Sequence, residues 1–179
     1  LLIAEMNSSA PVNGNALTTA EDIGERFEAL VTTGTRSVYT FIPNLDNAIG
    51  GMEKQTLIIL AARPGMGKTA LGWQIARNVR ESGAKVIFFS LEMSGPSLWA
   101  RAACPAAGVT WRDFLANLLS EAQIERLLEE SRSLRARYGD RLIITDTMHT
   151  TESVWRAVAS HQPDLIVIDH IRFLKDKGE

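Results

Sequence analysis

The sequence predicts an α/β fold, a mainly parallel sheet with helices on both faces, and three observations predict it. Continuous apolar runs such as Val86-Ile87-Phe88-Phe89 and Leu165-Ile166-Val167-Ile168 suit strands covered on both sides. Segments of helical spacing separate such runs, which argues for right-handed βαβ units. A glycine-rich turn, Gly65-Met66-Gly67, joins one apolar run directly to a helix-patterned segment. With 179 residues, 45% of them apolar, the chain is long enough for one well-buried domain.

Taken in order, residues up to about Asn15 carry Ser, Pro, Asn and Gly with little periodicity and read as a tail or linker. Thr18-Thr19-Ala20-Glu21 has the spacing of a capping box, and after it Ile23, Phe27, Leu30 and Val31 share one helical face. Such a helix either packs on its own domain or docks on a neighbouring subunit, and docking is favoured. The expected organisation is a linker or tail with an amphipathic helix over 1–35 and a core over 36–179.

Within that core, Pro43-Asn44-Leu45-Asp46 with Gly50-Gly51 reads as a short turn-rich element. Residues 56–61 read as a buried strand. Residues 70–80 read as a helix with Leu71, Ile75, Ala76 and Val79 inward, ending at Ser82-Gly83. A second strand follows at 86–89. Residues 98–103 read as helix interrupted near Pro105. Ser120-Glu121-Ala122-Gln123 caps a long amphipathic helix carrying Ile124, Leu127, Leu128 and Leu134, which ends by Tyr138-Gly139. Leu142-Ile143-Ile144 is a third strand, Val154, Trp155 and Val158 mark another helix, and 165–168 is a fourth strand. Trp73, Trp99, Trp111 and Trp155 all fall on helix-patterned segments and read as packing residues.

Bulk properties exclude several classes. Net charge is −2 with no basic run, which argues against a surface that wraps nucleic acid by bulk electrostatics. It leaves room for basic residues converging in the channel of an assembly. Cys104 is the only cysteine, so an intramolecular disulfide and a cysteine zinc site are both excluded. It reads as a packed thiol and fits a reducing, cytoplasmic compartment. His149, His161 and His170 show no ligand spacing and read as surface or cap residues. No apolar run approaches the ~20 residues that cross a bilayer, so no membrane association is expected. The chain opens on Leu1 rather than Met, and the expectation is a piece of a longer protein.

The chemistry concentrates in Ala62-Arg63-Pro64-Gly65-Met66-Gly67-Lys68-Thr69, set between a strand and a helix beginning near Ala70. Strand, glycine-rich turn and helix with Gly-Lys-Thr at its start is the layout of a P-loop. Gly65 and Gly67 let the backbone curl so that its N–H groups face an anion, and the helix dipole adds roughly half a positive charge. The nucleotide-binding set is therefore Arg63, Pro64, Gly65, Met66, Gly67, Lys68, Thr69 and Ala70. Lys68 reaches the β- and γ-phosphates of ATP, and the Thr69 hydroxyl ligates Mg²⁺. Ala62 stands where the common pattern has Gly, and Pro64 stiffens the approach to the curl. Asp169 ends an apolar strand, and in P-loop proteins such a carboxylate holds Mg²⁺ beside the phosphate loop. Glu92 follows the strand after the P-loop helix, where a carboxylate polarises the attacking water as general base. Asp146 also ends a strand and reads as a turn or cap residue.

Ser90-Leu91-Glu92-Met93-Ser94, taken with Leu60 to Thr69 and Ile166-Val167-Ile168-Asp169, closely resembles the ATPase domain of DnaB-type replicative DNA helicases, a RecA-like P-loop NTPase fold. The likeness runs from about residue 41 to 174, and Arg101 and Ala107-Gly108-Val109 fit it too. It implies a homo-hexameric ring with MgATP between subunits, single-stranded DNA in the channel and 5′-to-3′ translocation. Primase and a helicase loader are the implied protein partners. On that resemblance Lys68 and Glu92 are catalytic, and Thr69 and Asp169 serve the metal. The family commonly reads Asp-Tyr-Leu-Gln-Leu where this chain has Asp169-His170-Ile171-Arg172-Phe173. Arg172 thus replaces a Gln associated with sensing the γ-phosphate or passing that signal toward DNA. Pro105 falls where the family's helix continues. The resemblance also implies later strands, DNA-contacting loops and an arginine finger beyond residue 179, so the isolated segment is expected to bind nucleotide better than it hydrolyses it. Two alternatives are a recombinase-like or regulatory RecA-family ATPase, and a nucleotide-binding assembly module without unwinding activity.

Overall fold

The computed structural model describes residues 2–4, 19–34, 37–53 and 56–176. Its main sheet has five strands: β1 (Leu2–Ala4), β4 (Leu57–Ile59), β5 (Val86–Ser90), β6 (Leu142–Thr145) and β7 (Leu165–Asp169). Their order is β4-β1-β7-β5-β6. β5 pairs in parallel with both β6 and β7. β1 is antiparallel to β4 and to β7, so those two strands point the same way as each other. The carboxyl ends of β4, β5, β6 and β7 therefore share one edge of the sheet, where loops that bind ligands gather in α/β proteins. A separate two-stranded ribbon pairs β2 (Ser37–Val38) with β3 (Met52–Glu53).

Alternation along β5 and β7 divides the core between two faces. Val86, Phe88, Leu165 and Val167 pack with Trp73, Ile75 and Val79 of α3 (Lys68–Glu81), Leu98 of α4 (Gly95–Ala106), and Leu134 and Tyr138 of α6 (Glu121–Tyr138). Ile87, Phe89, Ile166 and Ile168 face the other way, onto Val154, Ala157 and Val158 of α7 (Thr151–His161). Every residue of β5 and β7 is buried. At about 1.5–3 kcal/mol for each large apolar side chain taken out of water, these two strands hold the layers together. Trp73 meets Phe88 edge to face at 5.5 Å between ring centroids.

Several elements differ from the sequence reading. Leu2–Ala4, part of the expected tail, form the strand between β4 and β7, where their backbone groups find partners on both sides. The remainder of that tail lies outside the described residues. β4 reads as a buried strand, yet Leu57 and Ile59 are exposed, because β4 ends the sheet among the described residues. The first helix, α1 (Ala20–Thr33), is capped by Thr19 with Asp22 rather than by Thr18 with Glu21. Hydrogen bonds from the Thr19 hydroxyl and backbone N–H, at 2.7 and 2.9 Å, hold the Asp22 carboxyl below its ordinary range. Ile23, Phe27, Leu30 and Val31 are exposed, so the apolar face of α1 is not covered among the described residues.

The turn-rich element at 43–51 contains a real helix, α2 (Pro43–Ile49), with Pro at its start and Gly50 in the left-handed conformation at its end. α4 runs through Pro105 instead of stopping before it. The proline sits in the last turn, where only one hydrogen bond is lost. A short helix, α5 (Trp111–Leu115), follows where the sequence shows no periodic signal. Trp155 is exposed, against the packing reading; Trp73 is buried, in accord with it.

Candidate functional site

β4 leads into a loop that ends in Gly67, the N-cap of α3. Gly65 and Gly67 have φ of +79° and +86°, backbone that L side chains rarely adopt. A Cβ at either would meet no atom within 4 Å, so the backbone angle, not crowding, calls for glycine. No side chain caps α3, whereas Ser94, Thr110, Ser120 and Thr150 cap α4, α5, α6 and α7. The helix's first amides are thus left as donors, next to the ammonium of Lys68.

These groups open on a cavity of about 520 Å³. From the Gly65–Gly67 loop and the helix start it is lined by Ala62, Arg63, Pro64, Gly65, Gly67, Lys68, Thr69 and Ala70. Glu92, Arg101, His170 and Arg172 complete the wall. Glu92 is carried just past β5, where the Ser90 hydroxyl donates to the Met93 carbonyl at 2.7 Å and tightens the turn. Ser90 sits opposite Asp169 in the β5–β7 register, and the Leu91 N–H donates to the Asp169 carbonyl at 2.6 Å. This pairing brings the Glu92 turn and the Asp169 strand end together.

Asp169 is 1% exposed and is not among the residues that line the cavity. Among the described residues neither carboxylate oxygen has a hydrogen-bond partner, an arrangement that is costly unless something positive engages it. Among the described residues no cluster of three or more His, Cys, Asp or Glu could hold a metal by itself. One carboxylate and one hydroxyl, Thr69, suit Mg²⁺, which takes its other ligands from phosphates and water. The residues therefore fit magnesium only together with a nucleotide.

Of the nucleotide-binding residues expected from sequence, Met66 alone stands apart: it is 73% exposed and does not line the cavity. His170, which reads from sequence as a surface or cap residue, is part of the wall, with Nδ1 buried and unpartnered. Burial, then the charges of Lys68 and Arg172, hold its imidazole below the usual histidine range, against an opposing pull from Glu92. Arg101 and Arg172 also join the site. His170 and Arg172 closely follow a carboxylate at a strand's carboxyl end, and that position is the signal in the sequence that could have found them. Asp146 behaves as a structural cap: its Oδ2 accepts from the Gly95 N–H at 2.6 Å.

A profile of the DnaB-like helicase C terminal domain matches residues 37–179. The chain belongs to the DnaB-like helicase C-terminal domain family. Among curated relatives it is 29% identical over 154 residues to the replicative DNA helicase DnaB of Rickettsia bellii, covering 77% of this chain and 30% of that protein. To the DnaB of Treponema pallidum it is 33% identical over 123 residues, covering 68% of this chain and 27% of that one. To that of Geobacillus stearothermophilus it is 30% identical over 145 residues, 78% of this chain and 31% of that one. The chain thus spans about a third or less of the length of these relatives. A solved structure of an ATPase domain superposes with a TM-score of 0.68 at 21% identity, covering 90% of this chain and 60% of that one. That likeness shows the fold alone, the RecA-like α/β architecture with its mainly parallel sheet between helices. No helix among the described residues is long and apolar enough to cross a membrane.

Proposed function

We propose that this chain is the MgATP-binding motor segment of a replicative DNA helicase, coupling ATP hydrolysis to translocation along single-stranded DNA. One observation carries the reading. Uncapped helix amides, Lys68, Thr69 and Glu92 face one cavity, with the unpartnered Asp169 carboxylate at the adjoining strand end, in a chain of the DnaB-like family.

The loop amides and Lys68 hold the phosphates of ATP and orient them. Thr69 and Asp169 hold Mg²⁺, which when bound neutralises phosphate charge. Glu92 takes the proton of a water attacking the terminal phosphate. Arg63 and Arg101, on the same wall, supply further positive potential. A homo-hexameric ring is the proposed assembly, with the exposed apolar face of α1 docked on a neighbouring subunit. Primase and a helicase loader are the proposed protein partners, and the cytoplasm the proposed compartment.

Calorimetry on the full-length protein tests the site. Lys68→Ala is expected to weaken MgATP binding about 10–100-fold, the worth of a charge-assisted contact. Unchanged affinity defeats the P-loop assignment. A second reading, a recombinase-like or regulatory ATPase whose assembly is the output, gains from Arg172 and from the net charge of −2. DNA-stimulated turnover and strand unwinding favour the motor; assembly on ATP without either favours the alternative.

A further inference from the structure

Arg101 reaches the cavity wall from α4, the helix that follows the Glu92 turn, and among the described residues it has no ion pair or hydrogen bond. Its guanidinium instead lies over the Trp111 ring, 5.2 Å from the centroid. A cation there is attracted by the negative face of the ring, and indole is the strongest of the aromatic partners. Such a contact restrains the guanidinium without an anionic partner, so its charge is left for a ligand. Trp111 is itself held by the fold. At the end of α4 the Val109 N–H donates to the Cys104 carbonyl at 2.8 Å, and Gly108, with φ of +66°, turns the chain back. Thr110 then caps α5, its hydroxyl accepting from the Asp113 N–H at 3.0 Å and donating to the Asp113 carboxylate at 2.7 Å. Trp111 stacks on Phe114 with ring centroids 5.6 Å apart, and both rings pack on the cluster of Ala100, Cys104, Ala107 and Val109.

We propose that Trp111 is a positioning residue of the nucleotide site, its ring holding the Arg101 guanidinium on the cavity wall where that charge meets an anionic group of the bound nucleotide. The inference rests on the MgATP reading above and deepens it. Without the ring, Arg101, which is exposed, regains the rotamers of a long surface side chain, and binding has to order it again. Packing by itself asks less of position 111. An apolar side chain of similar reach fills the space against Phe114 and α4, whereas only an aromatic face attracts the cation. That difference separates a positioning role from a purely structural one.

The test is a double-mutant cycle read by calorimetry on the full-length protein, with magnesium and a non-hydrolysable ATP analogue. Trp111→Leu is expected to lose about 3–30-fold in affinity, the worth of a cation–π contact. Trp111→Phe, which keeps an aromatic face, stays within about threefold of wild type. In an Arg101→Ala background the same Trp111→Leu change alters affinity by less than about twofold, because the cation it positions is gone. Trp111→Met, a flexible apolar replacement, takes the place of leucine if that variant does not fold. Equal losses from Trp111→Leu in both backgrounds assign Trp111 to packing and overturn the proposal. So does unchanged affinity in Arg101→Ala, or in Trp111→Leu with Arg101 present. Lys68→Ala separates the two readings. If it weakens binding and the cycle shows no coupling, only this inference falls; if it leaves affinity unchanged, the MgATP reading falls and this one with it.

Discussion

Replacing Asp169 by Asn should make the protein more stable without nucleotide and less responsive to it. Asp169 is 1% exposed, at the end of β7, and among the described residues neither of its carboxylate oxygens has a hydrogen-bond partner. A buried polar group left unsatisfied costs about 1–3 kcal/mol, and more when charged. Asparagine keeps the shape and the backbone bond from Leu91 but not the charge, so it relieves only the excess that a buried carboxylate costs over a neutral amide. Taking the relief as about 2 kcal/mol, at roughly 2–4 °C for each kcal/mol in a domain of this size, Tm rises by about 4–8 °C. Magnesium and a non-hydrolysable ATP analogue reverse the order. At a hundred times Kd the wild type gains about 2.7 kcal/mol, or roughly 5–11 °C, whereas the variant lacks the metal's carboxylate and gains far less. Scanning calorimetry with and without the magnesium analogue measures both effects. A variant no more stable than its parent, with the same ligand-induced shift, would refute the argument that this carboxylate is kept for a metal. Lower stability would show that the carboxylate already has a partner in the fold.

Glu92→Gln in the full-length protein should keep MgATP affinity within about threefold and lose roughly 10²–10⁴ in turnover, as removal of a general base does; near-normal steady-state hydrolysis removes it from that role. Phe88→Ala should destabilise by about 3–5 kcal/mol in denaturant unfolding, because the ring is fully buried against Trp73. A loss below about 1 kcal/mol would mean that the core collapses around the gap. The Asp22 carboxyl is held low by Thr19, so its contribution to α1 is complete above the ordinary aspartate range and fades as pH falls through the lowered value. An NMR titration of Asp22 with its midpoint at or above 3.8 contradicts this.

Much of the molecule was legible because local chemistry settled it. Val86-Ile87-Phe88-Phe89 reads as a strand covered on both faces and Ser120 to Gln123 as a helix cap, and both are found. Gly65, Gly67, Lys68 and Thr69 predict an anion site through backbone freedom and charge at one spacing, and the structure sets them on one cavity. What sequence could not supply was anything set by pairing between distant segments. Three residues, Leu2–Ala4, carry too little periodicity to declare themselves, and their place between β4 and β7 exists only because two strand edges offer them hydrogen bonds. Likewise the letters after Asp169 hint at a site but do not by themselves set His170 and Arg172 on one cavity with the Gly65–Gly67 loop. They join the site because the β5–β7 register sets Asp169 opposite Ser90, and the turn that follows lines the same cavity as Lys68 and Glu92. Sequence settles what each residue can do within a turn or two of its own backbone, whereas sheet register, a sum of many weak long-range contacts, decides which of those abilities face the same few ångströms of space.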